Sequence, residues 1–256
     1  MASKKVLSIH GHPDDGEQFA GGTLQLLKKA GYGITIAALT DGACGSHTQT
    51  AEEIIAIRLK EAREAAALIG ANYVNLGIRD GSIEYNLENT RKLVKLIREI
   101  NPEIIITHPT DDYMTDHSHT GRLVLWAIPE AGHKNFQADT NASAIERLPY
   151  TYHTDPQGLT FANGQISRVD TIVDISDVIE QKLKAFATHK SQMGLLFQSE
   201  TQNGEPSAAR KTRRWAITRG EQVRIEYGEG FNQQLHAEYP RKNILIDLIP
   251  GKVYTL

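Results

Sequence analysis

The chain has 256 residues, of which 40% are hydrophobic and 23% charged, with a formal net charge of −3. That length fills one large core or two small ones, and the near-neutral charge gives no ground for nucleic acid or an anionic membrane as a partner. The single cysteine, Cys44, excludes an internal disulfide framework. No stretch approaches the roughly 18 apolar residues of a membrane span, and the N-terminal apolar stretch is too short for a signal peptide, so a cytoplasmic protein is expected.

In chain order, residues 6–10 read as a strand, 17–29 as a helix, 34–39 as a strand and 51–69 as a helix rich in Ala, Glu, Arg and Lys. A short strand at 73–76, a helix at 86–100, a strand at 104–107 and a helix from about 118 to 128 follow. Strands alternating with helices imply right-handed crossovers, hence an α/β, Rossmann-like three-layer fold with a mostly parallel sheet. Beyond residue 128 the pattern weakens. Residues 129–165 read as loop, 168–175 as a strand, 176–187 as a helix capped by Ser176, 199–213 as a polar, mobile segment and 224–227 as an edge strand. Without an internal repeat or a linker, one domain over 1–256 is expected, with a core at 5–127 and a decorated C-terminal portion.

Each strand of the first half ends in a polar cluster: HPDD at 12–15, TDGACGS at 40–46, GIRDGS at 77–82 and the His-rich run at 108–119. In open α/β sheets, sites gather beyond the carboxyl ends of the strands. His12 and Asp15 are close enough in sequence to close on one metal ion, while Asp14 between them stays free to act as a base. His117, in TDHSHT, is the natural third ligand. Zinc accepts His nitrogen and carboxylate oxygen, and a catalytic site keeps three protein ligands and a water. The ion lowers the pKa of that water to about 7; Asp14 would take its proton and pass it to a leaving nitrogen. Fe²⁺ and Mn²⁺ share such ligands. His119, two residues from His117, points to a different side of a helix and reads as a rim or capping residue. Asp116 reads as a carboxylate that orients a neighbour or caps the helix.

These residues, with Gly21-Gly22-Thr23, Thr40-Asp41-Gly42, Arg58 and Glu61 in RLKEAREAAALIG, Asp80-Gly81 and Asp116-His117, resemble the LmbE-like deacetylases. That family includes the GlcNAc-phosphatidylinositol de-N-acetylase, the bacillithiol- and mycothiol-pathway deacetylases and the diacetylchitobiose deacetylases. The ordered set spans about residues 5–127, and KAFATHKSQ at 184–192 is a weaker echo. The resemblance implies zinc-dependent hydrolysis of an N-acetyl group on a glucosamine unit. It assigns His12, Asp15 and His117 to zinc, Asp14 to the general base, and Arg58 and Asp80 to substrate binding. It also implies a small amino-sugar substrate and a homo-oligomer, since relatives form hexamers. From the residues alone, Arg58 could equally pair with Glu61 on a helix surface, and Asp80-Gly81 is an ordinary turn signal.

The chain departs from the family at Met114, where many relatives carry a His that polarises the carbonyl. A thioether donates no hydrogen bond. His108, Tyr113, His119 and His189 are the candidate replacements. Three further readings stand beside the deacetylase: an amidase of a glucosamine conjugate, a non-catalytic sugar-binding member of the same fold, and a nucleotide-binding protein. The last is disfavoured because no G-x-G-x-x-G follows the first strand.

Overall fold

The computed structural model describes residues 4–193, 206–236 and 238–256. Its first half is a strand–helix alternation: β1 (Lys5–His10), α1 (Asp15–Lys29), β2 (Gly33–Thr40), α2 (Ala51–Ile69), β3 (Asn72–Ile78), α3 (Leu87–Ile100), β4 (Ile104–Thr107) and α4 (Thr115–Gly132). Local chemistry fixes the boundaries. Thr50 and Glu53 form a reciprocal capping box at the start of α2, and Gly70 ends it in the left-handed conformation. The Asn86 side chain caps α3, and Asn101 closes it at φ 48°.

Eight strands form one sheet in the order β3-β2-β1-β4-β5-β7-β6-β8. Strands β3, β2, β1, β4 and β5 pair in parallel, and the pairings of β7 and β8 are antiparallel. Two apolar layers sandwich it. On one face Leu24 and Leu27 of α1 and Ile69 of α2 pack on Val6, Ile34 and Ile104. On the other, Leu93 and Ile97 of α3 and Leu123, Val124 and Ala127 of α4 pack on Leu7, Ile9 and Ile105. The chain leaves β1 towards β2 on one side and returns through α3 to β4 on the other. The order therefore reverses between β1 and β4, and the crevice at their carboxyl ends is where such folds place their ligands.

The second half is more regular than the sequence suggests. The stretch read as loop at 129–165 contains β5 (Tyr150–Thr154), which pairs with β4. Helix α4 also runs one turn further than expected, with Pro129 in its last turn. The strand expected at 168–175 is β6 (Thr171–Asp174), followed by α5 (Ile179–Phe186). Of the segment read as polar and mobile, 199–205 lies outside the described residues and 207–213 begins helix α6 (Ser207–Glu221). The edge strand expected at 224–227 is instead a turn leading into β7 (Gly228–Gln233), an interior strand between β5 and β6. Helix α7 (Leu245–Leu248) and edge strand β8 (Val253–Thr255) end the chain. Among the described residues no helix is long and apolar enough to cross a membrane.

Candidate metal centre

His12 and Asp15 lie on the turn from β1 into α1, and His117 on the first turn of α4. Gly121 lets α4 approach β4: a Cβ there would stand 2.5 Å from the Pro109 carbonyl oxygen. The turn and the helix bring three donor atoms together. His12 Nδ1 is 3.2 Å from Asp15 Oδ2 and 3.2 Å from His117 Nε2, and His117 Nε2 is 3.4 Å from Asp15 Oδ2. An ion bound at zinc's usual ligand distances of about 2.0–2.2 Å in tetrahedral geometry needs donor separations of about 3.3–3.6 Å. The triangle nearly meets that requirement, and its donors are two imidazoles and a carboxylate.

The far side of each imidazole supports the same orientation. His117 Nδ1 stands 3.2 Å from Asp112 Oδ2. His12 Nε2 stands 3.3 Å from Asp80 Oδ1 and 3.5 Å from Asp116 Oδ2. A carboxylate behind an imidazole keeps the proton on that nitrogen and turns the other lone pair towards the centre. The carboxylates are themselves fixed by backbone donors. Gly81 and Ile83 donate to Asp116 at 2.8 and 3.3 Å, Cys44 donates to Asp80 at 3.0 Å, and Met114 and Gln157 donate to Asp112 at 2.8 Å each.

Charge follows the geometry. Burial pushes His117 down, but Asp15 and Asp112 outweigh it and raise it to about 9. Burial likewise opposes the charged form of His12, yet Asp15, Asp116 and Asp80 hold it well above its usual range. Burial would raise Asp15, but the surrounding imidazoles keep it well below the usual carboxylate value. His108 behaves differently. Burial and the neighbouring His117 lower it to about 4, so it is neutral, and its Nε2 lies 3.1 Å from Asp15 Oδ2. His108 and His117 stack with centroids 3.8 Å apart and planes 9° apart. Their in-plane lone pairs run in parallel planes, so the two rings cannot converge on one ion together.

Asp14 stands immediately before α1 with φ 152°, a conformation that non-glycine residues avoid and that costs of order 1–3 kcal/mol. Arg58 holds it there. Arg58 is 3% exposed, and its guanidinium donates to the Pro13 carbonyl at 3.2 Å, to Asp14 Oδ1 at 3.1 Å and to the Gly42 carbonyl at 3.1 Å. Burial raises the Asp14 carboxyl above its ordinary value despite the opposing Arg58 charge.

The structure thus gathers His12, Asp14, Asp15, Arg58, Asp80 and His117 at one crevice. Arg58 and Asp80 are buried behind the loop and behind His12. Arg58 does not pair with Glu61, whose carboxylate instead accepts the backbone N–H and the hydroxyl of Ser191. His119 is tied to the Ile83 carbonyl, away from the triangle. Asp112 is a supporting residue that the sequence reading misses; its signal is a carboxylate five residues before His117 in the same His-rich run. A surface cavity of about 870 Å³ lies at the amino ends of β4 and β5, beside Glu103 and Tyr150 and at the opposite ends of the strands from the crevice, and is lined by none of these groups.

Residues 7–128 match the family model described as PIG-L, GlcNAc-PI de-N-acetylase. The chain is 31% identical to a diacetylchitobiose deacetylase of Thermococcus kodakarensis, over 74% of this chain and 70% of that protein. It is 30% identical to a probable N-acetyl-alpha-D-glucosaminyl L-malate deacetylase of Bacillus cereus, over 74% and 84%. The solved N,N′-diacetylchitobiose deacetylase of Pyrococcus horikoshii superposes with a TM-score of 0.76 at 27% identity, covering 94% of this chain and 88% of that one. With the sheet order, the crevice and the HPDD turn all in place, the chain belongs to the PIG-L (LmbE-like) deacetylase family.

Proposed function

We propose that the chain is a metal-dependent hydrolase that removes the N-acetyl group from an N-acetylglucosamine-type sugar or conjugate. The observation that carries this reading is the triangle of His12 Nδ1, Asp15 Oδ2 and His117 Nε2 at 3.2–3.4 Å, with Asp14 held on the same turn. The names of the Thermococcus kodakarensis and Bacillus cereus relatives, both N-acetylglucosamine-type deacetylases, support the substrate class. His12, Asp15 and His117 would hold the ion. Zn²⁺ is the fitting choice for two imidazoles and a carboxylate, with Fe²⁺ and Mn²⁺ as alternatives. When bound, such an ion acidifies water and polarises a carbonyl.

The protein's own part is proton movement and placement. Asp14 accepts the proton of the attacking water and delivers it to the departing nitrogen, so the amide C–N bond breaks and acetate and a free amine leave. Arg58 keeps the Asp14 carboxylate aimed, and Asp80, Asp112 and Asp116 keep the imidazoles in the correct tautomer. We therefore give Arg58 and Asp80 supporting roles in place of direct sugar contact. Met114 brings no donor to the oxyanion.

The test is acetate release from N-acetylglucosamine and its glycosides by Zn²⁺-supplemented protein, with Asp14→Asn beside the wild type. The reading expects the variant to keep its metal and lose most turnover. Unchanged turnover in Asp14→Asn would remove the base role, and no acetate from any such substrate would remove the function.

A further inference from the structure

His189-Lys190-Ser191-Gln192, the end of the KAFATHKSQ echo, lies outside residues 7–128, the stretch that matches the family model. It follows α5 as a series of turns. Such segments ordinarily run over the surface, yet three of these four side chains reach three separate elements. His189 is 0% exposed, and its Nε2 stands 3.6 Å from Glu17 Oε2 on the first turn of α1. Ser191 donates to the Glu61 carboxylate of α2, from its backbone N–H at 2.9 Å and from its hydroxyl at 2.6 Å. Gln192 Nε2 donates to the Gly45 carbonyl, in the loop between β2 and α2, at 3.0 Å.

The three partners surround one pair of groups, Asp14 and Arg58. A Cβ on Gly45 would stand 2.5 Å from Arg58 Nη1 and 3.0 Å from the Gln192 carboxamide. Guanidinium and carboxamide therefore close on the same glycine from two sides, and only a residue without a side chain leaves them room. Arg58 Nη1 also donates to the Gly42 carbonyl at 3.1 Å, so Arg58 and Gln192 hold one loop between them. Glu61 lies three residues after Arg58 on α2, on the same face of that helix. Glu17 lies three residues after Asp14, on the turn that Asp14 opens. Burial opposes the charged form of His189, but Glu17 and, beyond it, Asp14 outweigh burial and raise it above its usual range. Taking such a pair out of water costs about as much as the pair returns. The contact between His189 and Glu17 therefore contributes position more than stability.

Resting on the deacetylase reading with Asp14 as its base, we propose that residues 189–192 form a clasp that positions the Asp14–Arg58 pair for proton transfer. Gln192 acts through Gly45 on Arg58, His189 acts through Glu17 on the turn that carries Asp14, and Ser191 ties the clasp to α2. All three are positioning residues, since each acts through another group. The reacting groups come from the first half of the chain, and the C-terminal portion sets their geometry. A proton acceptor displaced by about 1 Å loses on the order of a hundredfold in rate, so a clasp remote from the reacting atoms still governs turnover.

The experiment is a double-mutant cycle on the full chain with Zn²⁺: wild type, Gln192→Ala, Arg58→Lys and the two together. Acetate release from N-acetylglucosamine glycosides gives kcat and KM, and chelator competition gives metal affinity. Gln192→Ala should lower kcat about tenfold and leave KM and metal affinity within about twofold. In the Arg58→Lys background the same change should lower kcat less than about twofold, because the group it acts through is gone. Gly45→Ala, whose methyl would meet Arg58, should lower kcat on the order of a hundredfold. Losses that multiply across the cycle, a loss that falls on KM, or an unchanged kcat in Gln192→Ala would each overturn the proposal. Crystal structures of wild type and Gln192→Ala read the clasp without substrate. The contact between Arg58 Nη2 and Asp14 Oδ1, 3.1 Å in the wild type, should open beyond about 3.5 Å in the variant, and an unmoved contact would contradict the clasp. If no substrate releases acetate but that contact opens, the deacetylase reading fails and the clasp stands as geometry. Acetate release with multiplying losses removes the clasp alone.

Discussion

Replacing Arg58 by lysine separates a positioning role from direct substrate binding. The guanidinium serves three acceptors at 3.1–3.2 Å: the Gly42 and Pro13 carbonyls and Asp14 Oδ1. An ammonium on a single stem reaches at best one of them. Two charge-assisted bonds are then lost, each worth about 1.5–3 kcal/mol, so stability falls by about 3–6 kcal/mol and the melting temperature by roughly 10 °C. The strained turn at Asp14, with φ 152°, loses the contact that offsets its cost and relaxes. A carboxylate misplaced by about 1 Å lowers turnover on the order of a hundredfold. Steady-state acetate release, together with a thermal melt, reads both effects. The account expects the loss to fall on kcat, with KM changed little. A raised KM with kcat preserved would refute the reasoning, because it would mean that Arg58 touches the sugar directly.

Two more predictions concern the imidazoles. Asp112→Asn removes the charge behind His117, which stands 3.2 Å away, and should weaken metal affinity about 10- to 100-fold; competition with a chromogenic chelator measures it, and an unchanged affinity would exclude the supporting role. Metal uptake should also release protons. Without metal, His117 titrates at about 9 and His12 well above its usual range, so at pH 7 both imidazoles carry a proton that a ligand must shed. One to two protons should leave per ion at pH 7. The affinity should fall as pH drops further below those values and the release should vanish above them. An indicator-dye titration in weak buffer counts the protons, and zero release at pH 7 would contradict the assignment.

The first half of the fold is legible in the sequence because β1, β2 and β4 are apolar runs and the helices between carry amphipathic periods, so residue order alone puts polar clusters at strand ends. The HPDD turn is legible for the same reason: it follows a buried strand. What stays hidden depends on partners distant in the chain. Strand β7 reads GEGFNQ, too polar and glycine-rich for an interior strand. Yet Glu229 is buried because Lys182 Nζ stands 2.6 Å away and the Gly22 and Thr23 amides donate to it at 2.8 and 2.7 Å. That contact also explains the Gly21-Gly22-Thr23 motif, since a Cβ at Gly22 would lie 2.6 Å from Ile175 Cγ2 and 3.1 Å from Glu229 Oε1. Helix α6 resembles a mobile polar stretch because its buried face is Ala209, Thr212, Ala216 and Arg219, without one large aliphatic side chain. Arg219 is accommodated by Asp155, whose Oδ2 is 2.8 Å from Nε, and by the Ser167 carbonyl at 3.0 Å. Asp112 is hard to find by pattern because a carboxylate behind an imidazole has no fixed spacing from it.

Anomalous diffraction from a crystal grown with Zn²⁺ tests the central claim most directly. The account predicts a single strong peak within about 2.0–2.2 Å of His12 Nδ1, Asp15 Oδ2 and His117 Nε2, with Asp14 left out of the coordination sphere. A peak lodged elsewhere, or Asp14 ligating in place of Asp15, would contradict it.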